Sequence, residues 1–218
     1  MIIAIDGPAA SGKSTTARLV AKKLNITYLD TGAMYRALTF QLLKSNVDFD
    51  NLDKVSTILG NLTIDMYDHK GTNIIKLNNE DITEQIRSSN VTKNVSEVSA
   101  LLIVRKSMVV MQREIGYKSD CVVEGRDIGT IVFPNADFKF FMTADIKMRA
   151  NRRLNEMNQS ATVKTFDEIV LDLEIRDDKD TNRENSPLRK AVDAVEIDTS
   201  ELTIDEQVNK IINHIKNN

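Results

Sequence analysis

Residues 1–18 read MIIAIDGPAASGKSTTAR and divide into three parts. The apolar run 2–5 has the length and composition of a short buried strand. Residues 7–14, GPAASGKS, match the pattern G-x-x-x-x-G-K-[ST] of a phosphate-binding loop. The residues that follow have helical spacing of apolar side chains at Ala17, Val20, Ala21 and Leu24. Strand, loop and helix in this order favour a nucleotide-binding site over a glycine-containing turn that binds nothing.

The residue types of the loop suit a chain of phosphate groups. Gly7 and Gly12 permit backbone dihedral angles that turn successive N–H groups toward an anion. The start of the helix adds further N–H groups and the positive end of its dipole. Lys13 is predicted to place its ammonium group on the β and γ phosphates, and the Ser14 hydroxyl is the expected protein ligand of Mg²⁺.

Length, charge and cysteine content bound the class of protein. The chain has 218 residues, which suits one compact α/β domain. Its net charge of −3 gives no basic footprint for nucleic acid. Cys121 is the single cysteine, so the sequence fits a reducing compartment. We expect a cytoplasmic monomer with small-molecule partners, without nucleic acid or membrane binding and without a signal peptide.

Strand and helix patterns alternate along most of the chain. A helix is predicted after Asp30, another over 51–60, and a β-hairpin over 62–78 with its turn at 68–71. A long helix is predicted over 94–117, and Arg105 lies among its apolar positions, where an arginine is costly unless something pairs with it. The fold class predicted is α/β, with a parallel sheet covered by helices on both faces.

Three further stretches contain arginines in places where an anion can bind. Arg36 lies one turn into the second helix, Arg126 follows a buried strand within Gly125–Gly129, and a later helix carries Arg176 and Arg183. Each has a structural alternative: a solvated helix arginine, an Arg-Asp turn, or a surface laced by ion pairs. The residues alone leave these alternatives open.

The arginines favour one kind of phosphoryl acceptor. An alcohol acceptor requires a positioned base, whereas an acceptor that is already a phosphate attacks through an anionic oxygen. Its difficulty is repulsion: two unit charges about 4 Å apart repel by roughly 4 kcal/mol at an effective dielectric constant of about 20. Lys13, Mg²⁺ and dispersed arginines can offset that repulsion. The pattern therefore favours a nucleoside monophosphate kinase.

Four motifs then resemble those of the bacterial cytidylate kinases. These are GPAASGKST at 7–15, LDTGAMYR at 29–36, GRDIGT at 125–130 and RDDKDTNR at 176–183. The resemblance covers essentially the whole chain and implies transfer of the ATP γ-phosphoryl group to CMP or dCMP. It also implies a core over about 1–40, 100–148 and 186–218, a monophosphate-binding insertion over about 41–99, and a helical lid over about 149–185.

The resemblance also implies a role for individual residues. The implied catalytic residues are Lys13, Arg126, Arg176 and Arg183. The implied ATP ligands are Gly7, Pro8, Ala9, Ala10, Ser11, Gly12, Lys13, Ser14, Thr15 and the lid arginine Arg153, with Mg²⁺ on Ser14. The implied ligands of the acceptor are Thr31, Tyr35, Arg36, Ser96, Arg105, Arg126, Asp127, Asp180 and Arg183. Within this set, Ser96, Arg105 and Asp127 are expected to read the cytosine edge.

Two rival classes remain at this point. A small-metabolite kinase of the shikimate or gluconate type shares the loop and the chain length, but it phosphorylates a hydroxyl group. A nucleotide-dependent switch is the rival that is not an enzyme. A GTP switch requires an N-K-x-D motif, which the sequence lacks.

Overall fold

The computed structural model describes residues 1–69, 72–157 and 164–218. The chain divides into two compact units. The larger unit comprises Met1–Tyr28 and Gly116–Asn218, and the smaller unit is Leu29–Ile115. Two residues of the predicted hairpin turn, 70–71, and part of the predicted lid, 158–163, lie outside the described residues.

The larger unit is built on a five-stranded sheet with helices around it. Its strands are β1 (Ile2–Asp6), β2 (Thr27–Asp30, which crosses into the smaller unit), β6 (Cys121–Gly125), β7 (Phe138–Thr143) and β8 (Val195–Asp198). Its helices are α1 (Lys13–Leu24), α6 (Ile146–Met157), α7 (Phe166–Asn182) and α8 (Ile204–Lys216). The strand order is β2-β6-β1-β7-β8, and β1 pairs in parallel with both β6 and β7. The predicted parallel sheet flanked by helices is confirmed.

The central strands are apolar because they are buried on both faces. In β1, Ile3, Ala4 and Ile5 are fully buried, as are Val122 and Val123 in β6. The apolar stripes of α1 and α8 complete the same core. Its other buried members are Ala17, Val20, Ala21, Phe140, Met142, Ile197, Val208, Ile211 and Ile212. This packing fixes the carboxyl end of β1, from which the phosphate-binding loop starts.

Helices α6 and α7 pack against that loop. Ala9 of the loop shares a small core with Ala150, Ile169 and Leu173. Helix α7 begins with a capping box, in which the Thr165 side chain accepts from the backbone N–H of Glu168 and the Glu168 side chain accepts from that of Thr165. The loop therefore has an apolar side, turned toward these two helices.

The smaller unit combines helices with an antiparallel sheet. Its helices are α2 (Thr31–Lys44), α3 (Leu52–Gly60), α4 (Ser89–Ala100) and α5 (Leu102–Gly116), with a 3-10 turn at Gln85–Arg87. Its strands are β3 (Ile64–His69), β4 (Thr72–Leu77) and β5 (Glu80–Asp81), paired in that order. The predicted hairpin is thus confirmed, with β5 as an unpredicted third strand. No helix among the described residues of either unit is long and apolar enough to cross a membrane.

Two helix predictions were wrong in detail. The single helix predicted over 94–117 is interrupted at Leu101, whose ψ of 125° is extended, so that α4 and α5 are separate helices. Just before the break the Ser99 hydroxyl donates to the Ser96 carbonyl at 3.0 Å and so competes with the helical bonding pattern. Arg183, predicted within a helix, is the residue after the end of α7 and has extended backbone.

A substitution at Gly7 tests how closely the backbone is packed at the start of the phosphate-binding loop. A Cβ at this position would lie 2.2 Å from the Met142 carbonyl oxygen, which is part of a buried strand and cannot move aside. We expect Gly7→Ala to lower the free energy of unfolding in urea by about 1–3 kcal/mol or more.

Gly60→Ala is the matched control because a Cβ there meets no atom within 4 Å. Placed at the end of α3, the alanine should stabilise the protein by about 0.4–1 kcal/mol, since it restricts the unfolded chain. Equal unfolding free energies for the two variants would contradict the predicted clash.

Candidate active site

The phosphate-binding loop joins the end of β1 to the start of α1. Gly12 precedes the helix in a left-handed conformation, with φ of 88°, and Ala10 has φ of 58°. Gly12, the residue before α1, has no side chain that could cap the first N–H groups of this helix, which begins at Lys13. A helix start with uncapped N–H groups is a ready site for phosphate oxygens, in agreement with the sequence motif.

Lys13 is the buried cation of the loop. Its side chain donates to the Pro8 carbonyl at 3.0 Å, and only 6% of the residue is exposed. Burial lowers the pKa of Lys13 to about 7, with a further lowering by the positive charges of Arg126 and Arg176, while Glu124 acts in the opposite direction. A phosphate group near Lys13 would restore its charge, because the charged form is then paired.

Polar side chains that were not predicted from the sequence form hydrogen bonds with the phosphate-binding loop and with the helix that follows it. The Thr16 hydroxyl donates to the Gln207 side chain at 2.7 Å, and the Thr199 hydroxyl lies 2.9 Å from the Ser11 carbonyl oxygen. Thr199 also accepts from Arg152 at 3.0 Å. Arg152 lies in α6, Thr199 directly follows β8, and Gln207 lies in α8. All three are far from the loop in sequence, so no local pattern could identify them.

Two arginines of α6 contact the loop or its supports, and they are not the one selected from the sequence. Arg149 donates to the Ala9 carbonyl at 3.3 Å and is paired with Asp177 of α7, while Arg152 bonds Thr199. Arg153, the predicted lid arginine, is 3.0 Å from Glu156 on its own helix. Ser14, the predicted Mg²⁺ ligand, is exposed in the first turn of α1.

The larger unit brings four of the predicted acceptor residues together as a charged cluster: Arg126, Asp127, Asp180 and Arg183. Arg126 Nε lies 2.9 Å from Asp180 Oδ2. Arg183 lies 3.8 Å from a carboxylate oxygen of each aspartate. All four side chains are largely buried, with at most 16% exposed. The solvated ion-pair surface that the sequence left open is therefore not what the structure shows at these positions.

The aspartates of this cluster keep the arginines in defined positions. Burial by itself raises the pKa of Asp180, but the charges of Arg126, Arg176 and Arg183 outweigh it and hold the pKa below its ordinary value. The influence of Arg176 on both Asp180 and Lys13 places its charge near the loop and the cluster. Asp180 is therefore an acceptor of hydrogen bonds and not a source of protons.

The smaller unit contains the other candidate acceptor residues: Thr31, Tyr35, Arg36, Ser96 and Arg105. Arg36 donates to the Thr92 hydroxyl at 2.9 Å and to the Ile86 carbonyl at 3.3 Å. The Arg105 guanidinium carbon lies 5.0 Å from the centre of the Tyr35 ring, which is within cation–π range. Thr31 and Arg105 are each 3% exposed. The inward orientation predicted for Arg105 is thus confirmed, and an aromatic ring is one of its partners.

A parallel sheet, a phosphate-binding loop with a buried lysine, and an arginine cluster in the same unit define a P-loop kinase. Solved structures share this fold. A shikimate kinase from Bacteroides thetaiotaomicron has a TM-score of 0.51 at 11% identity, with 99% of this chain and 98% of that one covered. An uncharacterized protein from Eubacterium ventriosum has a TM-score of 0.54 at 13% identity, with 100% and 99% covered. At these identities the likeness concerns the fold alone.

Sequence comparison narrows the class to one family. The family model described as cytidylate kinase matches residues 3–217. The cytidylate kinase of Clostridioides difficile is 48% identical over 99% of this chain and 98% of its own length. That of Fusobacterium nucleatum is 45% identical over 99% and 97%. The chain belongs to the cytidylate kinase family, and the two rival classes are thereby set aside.

The lowered pKa of Lys13 predicts that the protein takes up protons when it binds a nucleotide. With a pKa of about 7 in the free protein, Lys13 is mostly neutral at about pH 8, and contact with phosphate raises that pKa. ATP binding at about pH 8 should therefore take up protons. Calorimetric titrations in two buffers of different ionisation enthalpy measure this uptake.

The Lys13→Arg variant serves as the control, since a guanidinium stays charged and has no proton to gain. Its proton uptake should be smaller than that of the natural protein by the contribution of Lys13. Identical uptake in the two proteins would show that Lys13 is already charged before the nucleotide binds.

Proposed function

We propose that the chain transfers the γ-phosphoryl group of ATP to CMP or dCMP, giving ADP and CDP or dCDP. The observation that carries this proposal is the buried Arg126, Asp127, Asp180 and Arg183 cluster in the same unit as the phosphate-binding loop. Such a cluster suits an acceptor that is itself an anion. The names of the relatives in C. difficile and F. nucleatum support the same acceptor.

The arginines would offset the repulsion between donor and acceptor. The effect of Arg126 and Arg176 on the pKa of Lys13 indicates that cations from three segments act on one volume of the larger unit. The acceptor phosphate would share Arg126 and Arg183 with the aspartates, and Asp180 would accept from a sugar hydroxyl. Fixed positive groups of this kind stabilise charge that spreads over the transferred group in the transition state.

The proposed reaction needs no general base. The attacking oxygen belongs to a phosphate that is already ionised, so no proton has to be removed from it. The low pKa of Asp180 is consistent with a residue that remains a carboxylate throughout. Positioning and charge would therefore supply most of the rate increase.

Mg²⁺ fits the donor atoms available at the loop. Ser14 is exposed at the start of α1 and offers one hydroxyl oxygen, which suits an ion that takes its remaining ligands from phosphates and water. The Asp6 carboxylate is not a candidate ligand, because both of its oxygens accept backbone N–H groups. When bound, the ion would neutralise charge on the β and γ phosphates.

Recognition of cytosine is assigned to Ser96, Arg105 and Asp127. Cytosine presents an amino donor at N4 and acceptors at N3 and O2, so a carboxylate and a guanidinium together match its edge. Uracil presents an acceptor at position 4, which would face a carboxylate. We therefore include discrimination against UMP in the proposal.

Domain closure completes the proposed mechanism. The insertion over about 41–99 and the lid over about 149–185 would fold over the core only when the acceptor is bound, which shields ATP from water. The bonds from Arg149 and Arg152 to the loop and Thr199 would couple the lid helix α6 to the donor site. We further propose that the protein acts as a cytoplasmic monomer on small molecules alone.

An assay of ADP release across several acceptors tests the proposed function. With purified protein, ATP and Mg²⁺, we expect rapid ADP release with CMP and dCMP. Slower release is expected with UMP, and little with AMP, GMP or shikimate. Equal turnover of UMP and CMP would refute the proposed reading of the cytosine edge, and preference for shikimate would refute the acceptor class.

Arg183 provides a test of the charge mechanism. Arg183→Ala should lower kcat by roughly 10²-fold or more, because it removes positive charge that acts mainly in the transition state. The free energy of unfolding should change by a much smaller fraction than kcat does. Urea denaturation measures that change.

Arg189→Ala is the matched control, since Arg189 lies six positions further along the chain and is exposed. Its kcat should equal that of the natural protein. If Arg183→Ala also retains full kcat, Arg183 has no part in the transfer step.

A further inference from the structure

Asp6 is a buried acid that the mechanism above does not use. It is the last residue of β1, directly before Gly7 of the phosphate-binding loop, and only 4% of it is exposed. Its Oδ1 accepts from the backbone N–H of Ile128 at 2.8 Å, and its Oδ2 accepts from that of Gly129 at 2.7 Å. Both oxygens are thus engaged by two consecutive backbone donors of one loop.

These donors belong to the start of a helical turn over Ile128–Val132. The first N–H groups of such a turn have no partner within it, and the Asp127 side chain makes no capping bond to them. Asp6 supplies acceptors for two of these N–H groups from a different strand.

Asp6 also contacts the other side of the same loop through its backbone. In the parallel pairing of β1 with β6, Asp6 lies opposite Gly125. The segment between these two contacts consists of Arg126 and Asp127, both members of the arginine cluster. One residue therefore fixes the backbone immediately before and immediately after this dipeptide, and the same residue is bonded covalently to the phosphate-binding loop.

The charged form of Asp6 is costly at this position. Burial raises the pKa of Asp6 to about 7, against the lowering effect of the bonds from Gly129 and Ile128. Asp127 acts to raise this pKa and Arg126 to lower it. An ionisable group in such surroundings is better explained by what its two oxygens hold than by the stability of the core alone.

We infer that Asp6 is a positioning residue for phosphoryl transfer, which sets Arg126 and Asp127 at a fixed distance from the phosphate-binding loop. The inference rests on the proposed function, in which the loop holds the donor and the dipeptide binds the acceptor. Loss of the two bonds would free the dipeptide to shift relative to the loop, and a misplacement of about 1 Å costs roughly 10²-fold in rate.

Asp6→Asn provides the test because an amide has nearly the same shape but only one acceptor oxygen. Asp137→Asn is the matched control: Asp137 Oδ2 accepts from the Ile2 N–H at 2.6 Å, at the opposite end of the same strand. Steady-state rates with varied CMP, ATP affinity in the absence of CMP, and urea denaturation are measured for both variants and for the natural protein.

We expect Asp6→Asn to lower kcat/KM for CMP by roughly 10-fold to 10²-fold while ATP affinity is retained. Asp137→Asn should match the natural protein in kcat/KM. A residue with only a structural role would lower the unfolding free energy without changing kcat/KM for CMP. That result, or an equal loss of affinity for ATP, would overturn the inference.

A second variant covers the case in which Asp6→Asn does not fold. Asp6→Glu keeps the charge but moves the carboxylate by one methylene, so the same loss of kcat/KM for CMP is expected, and a natural value would overturn the inference. If the natural protein phosphorylates a different monophosphate, the proposed acceptor is wrong, and the same comparison with that acceptor still tests Asp6.

Discussion

The burial of one ammonium group is the constraint on which the rest of the structure depends. Lys13 lies out of water, bonded to a loop carbonyl, and within the electrostatic reach of two arginines. Such an arrangement is unfavourable until an anion arrives, and burial alone strongly shifts the ionisation of this group. The arrangement thus favours binding of a ligand with several negative charges over the stability of the protein without a ligand.

The acidic residues of the larger unit reduce the repulsion between its buried arginines. Arginines collected in a poorly hydrated volume repel one another, and Asp127 and Asp180 balance part of that charge in the protein without a ligand. Burial is the main cause of the depressed pKa of Lys13, and the positive charges of Arg126 and Arg176 lower it further. Asp6 belongs to a different category, since its oxygens hold backbone amides and no guanidinium.

The sequence predicts the fold class and much of the site because both depend on local patterns. The loop motif and the apolar strands each depend on a few consecutive residues, and the structure contains them where expected. Thr199, Gln207 and Arg149 could not be found this way, because their contacts with the loop join segments far apart in the chain.

The interruption of the helix at Leu101 was not predicted from the sequence, for a related reason. Residues 94–117 have continuous helical periodicity, and nothing in them is a strong helix breaker, so a pattern over so many residues predicts one helix. The interruption is a matter of one extended residue and a competing serine bond. The role of each residue toward CMP rests on the family resemblance, since periodicity carries no information about a base.

The smaller unit is one uninterrupted segment, from Leu29 to Ile115, whereas the larger unit is made of two. All candidate acceptor residues outside the arginine cluster lie in that segment: Thr31, Tyr35, Arg36, Ser96 and Arg105. Exchange of this stretch between related genes would replace Ser96 and Arg105 but leave Asp127, the third residue proposed to read the cytosine edge, in the larger unit. A change of base would therefore require matching substitutions in both units.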